Sequence, residues 1–145
     1  MAEVGLALGF RSGLEVKIAG ELERLLGHPP AYETVAIPYT KPAKLARYTP
    51  DWVLPNGIIV ESKGRFLTVD RQKHLLVKLQ HPDLDLRFVF SNPNQRISKQ
   101  SATTYAAWCQ AKGFLFAKAS VPKEWISEPM NERSLRAIKD LMKCR

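Results

Sequence analysis

The tightest constraint on this chain is the run from Tyr48 to Lys63, where Pro55-Asn56-Gly57 separates two short apolar segments. Pro suits the second position of a type I turn, Asn the third, and Gly the left-handed position that follows. A three-residue loop of this kind folds Tyr48–Leu54 back onto Ile58–Lys63 and fixes the register. Leu54 then faces Ile58, Val53 faces Ile59, Trp52 faces Val60, and Asp51 faces Glu61. A two-residue turn at Asn56-Gly57 would instead set Asp51 against Ser62, on the other side of the ribbon. Opposed residues share a face, with Cβ atoms about 5 Å apart. Lys63, two residues beyond Glu61, lies on that face as well.

The Glu61-Ser62-Lys63 triplet means little alone. Nine Glu and twelve Lys among 145 residues give about 0.7 such triplets by chance, and Glu15-Val16-Lys17 is a second one. Geometry separates them. On a helix, i and i+2 point to different sides, so Glu15 and Lys17 cannot share a site; on a strand, Glu61 and Lys63 can. Two facing carboxylates repel unless something compensates. A divalent cation does so, and oxygen ligands with open positions suit magnesium or manganese. The competing reading is a charged cluster on a sheet edge, and the apolar neighbours Trp52, Val53, Ile58, Ile59 and Val60 argue against it.

The rest of the chain reads as a mixed α/β domain. Ser12 opens a helix with Leu14, Ile18, Leu22 and Leu25 at helical spacing, stopped at Gly27 before Pro29-Pro30. Ser12-Gly13-Leu14-Glu15 has the form of a capping box. That explains Glu15 structurally, and its rival role is a third carboxylate beside the buried stripe, on a helix that the sequence does not place against the hairpin. Tyr32–Tyr39 reads as a strand with Val35 and Ile37 on one face, and Thr40–Arg47 as a polar connection. Asp70 can cap a helix to about Gln80, with Leu75, Leu76 and Leu79 as its buried stripe. Leu84–Ser91 alternates as a strand, and Asn92–Ser101 is loop. Thr103 or Thr104 begins a helix carrying Tyr105, Trp108 and Cys109 on one side and closing at Gly113. Phe114–Phe116 is a further strand, and Arg133–Lys143 a basic terminal helix.

Composition bounds the partners. The formal charge is +8, from 22 Lys+Arg against 14 Asp+Glu, and apolar residues make up 45% of the chain. That is enough for one core, and no apolar run approaches the ~18 residues of a membrane span. Cys109 and Cys144 form no metal-like pattern with the three histidines. A cytoplasmic, reduced protein that meets a polyanion, most simply nucleic acid, is expected. The bases concentrate at 63–78 and 133–145, although charge alone fits an ordinary solvated surface equally well.

Several segments together resemble the phage T-seven endonuclease I family. They are Phe10-Arg11-Ser12-Gly13-Leu14-Glu15, Tyr48-Thr49-Pro50-Asp51, Leu54-Pro55-Asn56-Gly57-Ile58 and Val60-Glu61-Ser62-Lys63-Gly64. The likeness continues through Asp70-Arg71-Gln72-Lys73-His74-Leu75-Leu76, Gln80-His81-Pro82, Val89-Phe90-Ser91 and Glu124-Trp125-Ile126. It runs in order along nearly the whole chain, departing in a shorter segment before Phe10 and a different basic tail. The resemblance implies a Holliday-junction resolvase with a restriction-endonuclease-like mixed sheet flanked by helices, working as a domain-swapped dimer. Residues 1–145 would form a single nuclease domain. Within it, 1–10 would be a short arm, 12–39 the exchanged helix and strand, 48–126 the catalytic core, and 133–145 the basic tail.

On the same resemblance, Asp51, Glu61 and the Ser62 carbonyl would hold one magnesium ion, manganese substituting. Glu15 would complete a second position with Asp51, and in the dimer would come from the partner chain. Lys63 would stabilise phosphate charge or orient the attacking water. The substrate would be branched DNA, four-way junctions above all, with no membrane involved. The nearest candidates for DNA contact are Arg11, Arg71, Lys73 and His74, with a solvated helix face or a core histidine as the bland alternatives. Another nuclease of the same core (a restriction enzyme or repair nickase) and a non-enzymatic DNA-binding module are the rival readings.

Overall fold

The computed structural model describes residues 12–41 and 44–143. In chain order the elements are α1 (Gly13–Leu26), β1 (Ala31–Tyr32), β2 (Ile37–Lys41), β3 (Lys44–Tyr48), β4 (Trp52–Val53) and β5 (Ile58–Lys63). There follow α2 (Thr68–Gln80), β6 (Asp85–Phe90), α3 (Tyr105–Lys112), β7 (Phe116–Lys118), α4 (Lys123–Ser127) and α5 (Glu132–Lys143). Five strands make one mixed sheet in the order β1-β4-β5-β6-β7, and β2-β3 form a separate ribbon. β1, β4 and β5 are antiparallel neighbours, whereas β5, β6 and β7 run parallel.

The turn at Pro55-Asn56-Gly57 sets the frame for everything else. Trp52 pairs with Val60 and Val53 with Ile59, and the Leu54 amide donates to the Ile58 carbonyl at 2.8 Å. This is the register expected from the three-residue loop. Gly57 sits at φ 94°, a conformation that side chains resist. A Cβ there would also meet Leu135 Cγ at 3.0 Å and the Asn131 carbonyl at 3.1 Å. The turn therefore serves as the seat for α5, whose Ser134 hydroxyl donates to the Gly57 carbonyl at 2.6 Å.

Period-two alternation along β5 divides the interior into two cores. Ile59 faces the first, with Phe66, Phe88, Phe90, Tyr105, Trp108 and Phe114, covered by α2, α3 and the β2-β3 ribbon. Ile58 and Val60 face the second, with Ile18, Leu22, Trp52 and Trp125, covered by α1 and α4. Arg87 pins α4 to the sheet. It bridges Asp85 and Glu128 and lies over the Trp125 ring. Among the described residues, no helix is long and apolar enough to cross a membrane.

Three expectations change. The Tyr32–Tyr39 strand is two pieces, because Glu33 adopts φ 51° and breaks the extended run between β1 and β2. The supposed polar connection at 40–47 contains most of a hairpin: Ile37, Tyr39 and Tyr48 are buried while Pro38, Thr40 and Arg47 face out. Its polarity records a one-sided ribbon. Helix α2 begins earlier than Asp70, whose carboxylate accepts from the Leu67 amide at 3.0 Å. That helix fully buries Arg71, His74 and Val77; of the expected leucine stripe, Leu75 and Leu76 pack half-buried against the first core, whereas Leu79 is 77% exposed. The basic terminal helix expected at Arg133–Lys143 is present as α5, docked with Ser134 and Ile138 buried; residues 144–145 lie outside the described residues. Elsewhere the caps match the sequence: the Ser12 hydroxyl accepts from the Glu15 amide, and the Thr104 hydroxyl from the Ala107 amide.

Candidate active site

Ser12, Leu14, Glu15, Asp51, Glu61, Ser62, Lys63 and Gly64 line one cleft of about 200 Å³. Each arrives by a local rule. Glu61 and Lys63 are two residues apart at the end of β5, so both emerge on the same side. Asp51 stands one residue before β4, where ladder pairing has stopped, and its amide donates to Glu61 Oε1 at 3.3 Å. Freed from the ladder, the Asp51 carboxylate turns to Ser62, accepting from its amide at 2.9 Å and its hydroxyl at 2.7 Å. Glu15 is on the first turn of α1, which packs against β5 and α4.

The capping and catalytic readings of Glu15 prove compatible. Its amide is capped by Ser12 and its Oε2 accepts from the Ser12 hydroxyl at 3.1 Å, yet the side chain is 4% exposed and borders the cleft. The other carboxylate oxygen, Oε1, accepts from the Tyr32 hydroxyl.

The electrostatics follow from crowding acids in a dry place. Burial, then the nearby Glu61 charge, pushes the Asp51 carboxyl up to about 7, against the opposing pull of the Ser62 hydrogen bonds. Burial works to lower the Lys63 pKa, but the charges of Glu61 and Asp70 outweigh it and hold the amine above its ordinary value. Lys63 Nζ lies 3.2 Å from Glu61 Oε2 and 3.7 Å from Asp70 Oδ1. The site thus contains an amine held in its charged form and, in Asp51, an acid that resists ionisation.

Of the proposed DNA contacts, Lys73 remains near the cleft, 4.0 Å from Asp70 and over the Tyr48 ring. Arg71 is turned inward, donating to the Phe66 carbonyl and the Thr68 hydroxyl. His74 is 0% exposed and packed edge-on against Tyr48 and Phe88 at 4.8 Å. Burial and the adjacent Lys63 and Lys73 charges hold it well below its ordinary pKa. Arg71 and His74 are both buried, which argues against direct contact of either with a polyanion. Arg11 lies outside the described residues. Sequence reasoning missed Tyr48, Tyr32 and Asp70, which hold the site residues in place; only the position of Tyr48 beside Thr49-Pro50-Asp51 hinted at such a part.

Fold and site together define a mixed α/β protein whose first helix and central hairpin bring three carboxylates and an amine into one cleft. The profile of the family described as Phage endonuclease I matches residues 2–145. The chain is 48% identical over 123 residues to Endonuclease I of Escherichia phage T7, spanning 85% of this chain and 82% of that protein. It is 46% identical over 123 residues to Endodeoxyribonuclease 1 of Enterobacteria phage T3, spanning 85% and 80%. The chain belongs to the phage endonuclease I family.

Proposed function

We propose that this protein is a magnesium-dependent DNA endonuclease that resolves four-way junctions and other branched DNA, nicking in pairs as a homodimer. The observation that carries the reading is the single cleft shared by Glu15, Asp51, Glu61 and Lys63. The names of its relatives, an endonuclease and an endodeoxyribonuclease, support DNA as the substrate.

The donor set fits a hard cation. Among the described residues, no three His, Cys, Asp or Glu side chains are gathered tightly enough to cage an ion. Magnesium needs no cage: it takes one or two carboxylates and completes its shell with water and phosphate oxygens. Asp51 and Glu61 are the residues to hold it, with Glu15 beside them, and a positive ion would offset both the burial and the Glu61 charge that raise Asp51. When bound, such a cation supplies polarisation of the phosphodiester and acidification of water. The chain's own residues do the rest. Lys63 stays charged beside the cleft and neutralises phosphate oxygens as charge develops on them. Tyr48, Tyr32 and Ser62 fix the carboxylates so that little reorganisation is needed at the moment of attack.

These residues cut without reading bases, so selection must come from shape and from the phosphate backbone. A dimer presents two clefts to two strands across a branch. Exchange of α1 between chains is compatible with the packing, since the groove that receives α1 from its own chain can receive the same helix from a partner. The test is cleavage of a synthetic four-way junction against a duplex of equal composition, with and without magnesium. Preferential, magnesium-dependent cutting of the junction is expected. Equal rates on both would remove the resolvase reading and leave a restriction or repair type of nuclease.

A further inference from the structure

A second cleft of about 320 Å³ lies on the other side of Glu61 and Lys63, bordered by Glu33, Arg47, Tyr48, Thr49 and Lys73. The two clefts share Glu61 and Lys63 as a common wall, yet their charges differ in sign. The first has three acids against one base, and the second has three bases against two acids. One side is built for a cation and the other for an anion. The three bases are held in different ways. Lys63 is tied to Glu61 and Asp70. Lys73 reaches across from α2, its amine steadied by Asp70 and the Tyr48 ring. The exposed Arg47 guanidinium, on β3, makes no hydrogen bond or ion pair among the described residues. An unpaired fork of donors at the rim of a basic cleft suits a phosphate oxygen pair.

We infer that this second cleft is a phosphate subsite: Arg47 and Lys73 grip a backbone phosphate of the same strand, next to the one positioned for cleavage. The inference rests on the nuclease reading above and adds a direction to it, the strand crossing from the Glu15 side of Lys63 toward β3. Neither Arg47 nor Lys73 touches the reacting phosphate, so both act on binding and positioning and not on the chemical step.

The experiment compares the full chain with Arg47→Ala, Lys73→Met and the double variant. Binding of a fluorescent 30-base-pair duplex and of a four-way junction is measured at several salt concentrations with calcium replacing magnesium, beside single-turnover cleavage in magnesium. Each substitution should weaken binding to both DNAs and lower the slope of log affinity against log salt by about 0.9. The rate at saturating enzyme should stay within about twofold, and Arg47→Lys should restore the slope because it keeps the charge. Melting temperatures close to that of the unaltered protein exclude a folding defect. A double variant with unchanged affinity and slope, or one that loses rate alone, overturns the subsite while leaving the nuclease reading intact. Absence of metal-dependent scission in the unaltered protein would instead overturn the nuclease reading itself.

Discussion

The hydroxyl of Tyr48 donates to Glu61 Oε1 at 2.6 Å, and the amide of Asp51 donates to the same oxygen at 3.3 Å. Two donors fix one side of the carboxylate, while its Oε2 meets Lys63 at 3.2 Å. Tyr48→Phe keeps the ring against His74 and deletes only the hydroxyl. Loss of such a supporting bond costs metal sites about 10- to 100-fold in affinity or activity. Half-maximal cleavage should therefore need at least about tenfold more magnesium, with much of the rate recovered at saturation. A magnesium titration of cleavage checks this, and an unchanged midpoint would mean that the bond positions nothing.

The three groups at the end of the hairpin should be individually indispensable for cutting. Asp51→Asn and Glu61→Gln keep shape and remove charge; Lys63→Ala removes the amine. Each is expected to lower cleavage by at least about 10²-fold, while binding of branched DNA, measured by gel mobility without metal, persists. Normal nicking by all three variants would show that the cleft is not where phosphodiesters are cut.

Asp51 also marks a trade of stability for function. Its carboxyl is raised from 3.8 to about 7 by burial and by Glu61. Between those values the folded chain keeps a proton that the unfolded chain has released. The stability this group contributes is thus present in acid and lost as pH rises through about 7. Asp51→Asn has no proton to lose and can still accept from Ser62 through its amide oxygen. Without divalent cations it should be more stable than the parent above pH 7, by an amount on the order of 1–4 kcal/mol, and the gain should shrink toward pH 4. Denaturant melts in EDTA across pH 4–8 test this. A constant difference across that range would contradict it.

His74 gives a pH effect of the opposite sign. Both ring nitrogens are buried without a hydrogen-bond partner among the described residues, and the ring is kept neutral well below its usual range. An unfolded histidine takes a proton below about 6.5, so this residue draws the chain toward unfolding as pH falls through that value. His74→Leu removes both the unsatisfied nitrogens and the acid penalty. It should match or exceed the parent near neutrality, the burial of an unpaired polar group costing about 1–3 kcal/mol, and its advantage should widen below pH 6.5. Binding of DNA should be unaffected. A variant that melts normally but binds DNA poorly would restore His74 to the interface.

What could be read from the sequence was set by short-range rules. The register from Trp52 to Val60 followed from one turn, and the ends of α1 and α3 from Ser12, Gly27, Thr104 and Gly113. What escaped depended on partners distant in sequence. The α2 face was misjudged because leucines outweigh Arg71 and His74 in any apolar count. Arg71 is nevertheless satisfied by Phe66 and Thr68, and His74 is enclosed by aromatic rings from three other segments. The β2-β3 ribbon hid behind its exposed face, and the Gln80 side chain that clamps Thr40 at 2.6 and 2.8 Å lies forty residues away. Helix α4 has only five residues, too few for periodicity to register. Asp51 lines one cleft with Glu61, as the hairpin register implied, but the ladder ends at Trp52 and the carboxylate turns to Ser62.

The proposed exchange of α1 between subunits has a direct test in mixed dimers. The segment 12–39 carries Glu15 together with Tyr32, so the hydrogen bond between them travels with it. Ile18 and Leu22 are 0% exposed against the second core, and that packing is the same whichever chain supplies the helix. Mixing Glu15→Gln chains with Asp51→Asn chains separates the two arrangements. If α1 is exchanged, one cleft of each mixed dimer unites an intact Glu15 with an intact Asp51, and the other holds both substitutions. If α1 stays at home, every cleft carries one substitution. After co-refolding at equal amounts, half the dimers are mixed, so exchange predicts about a quarter of the parental sites. Those sites should produce single nicks and not paired cleavage. Complete inactivity of the mixture, with each parent variant also inactive, would place the four site residues in one chain.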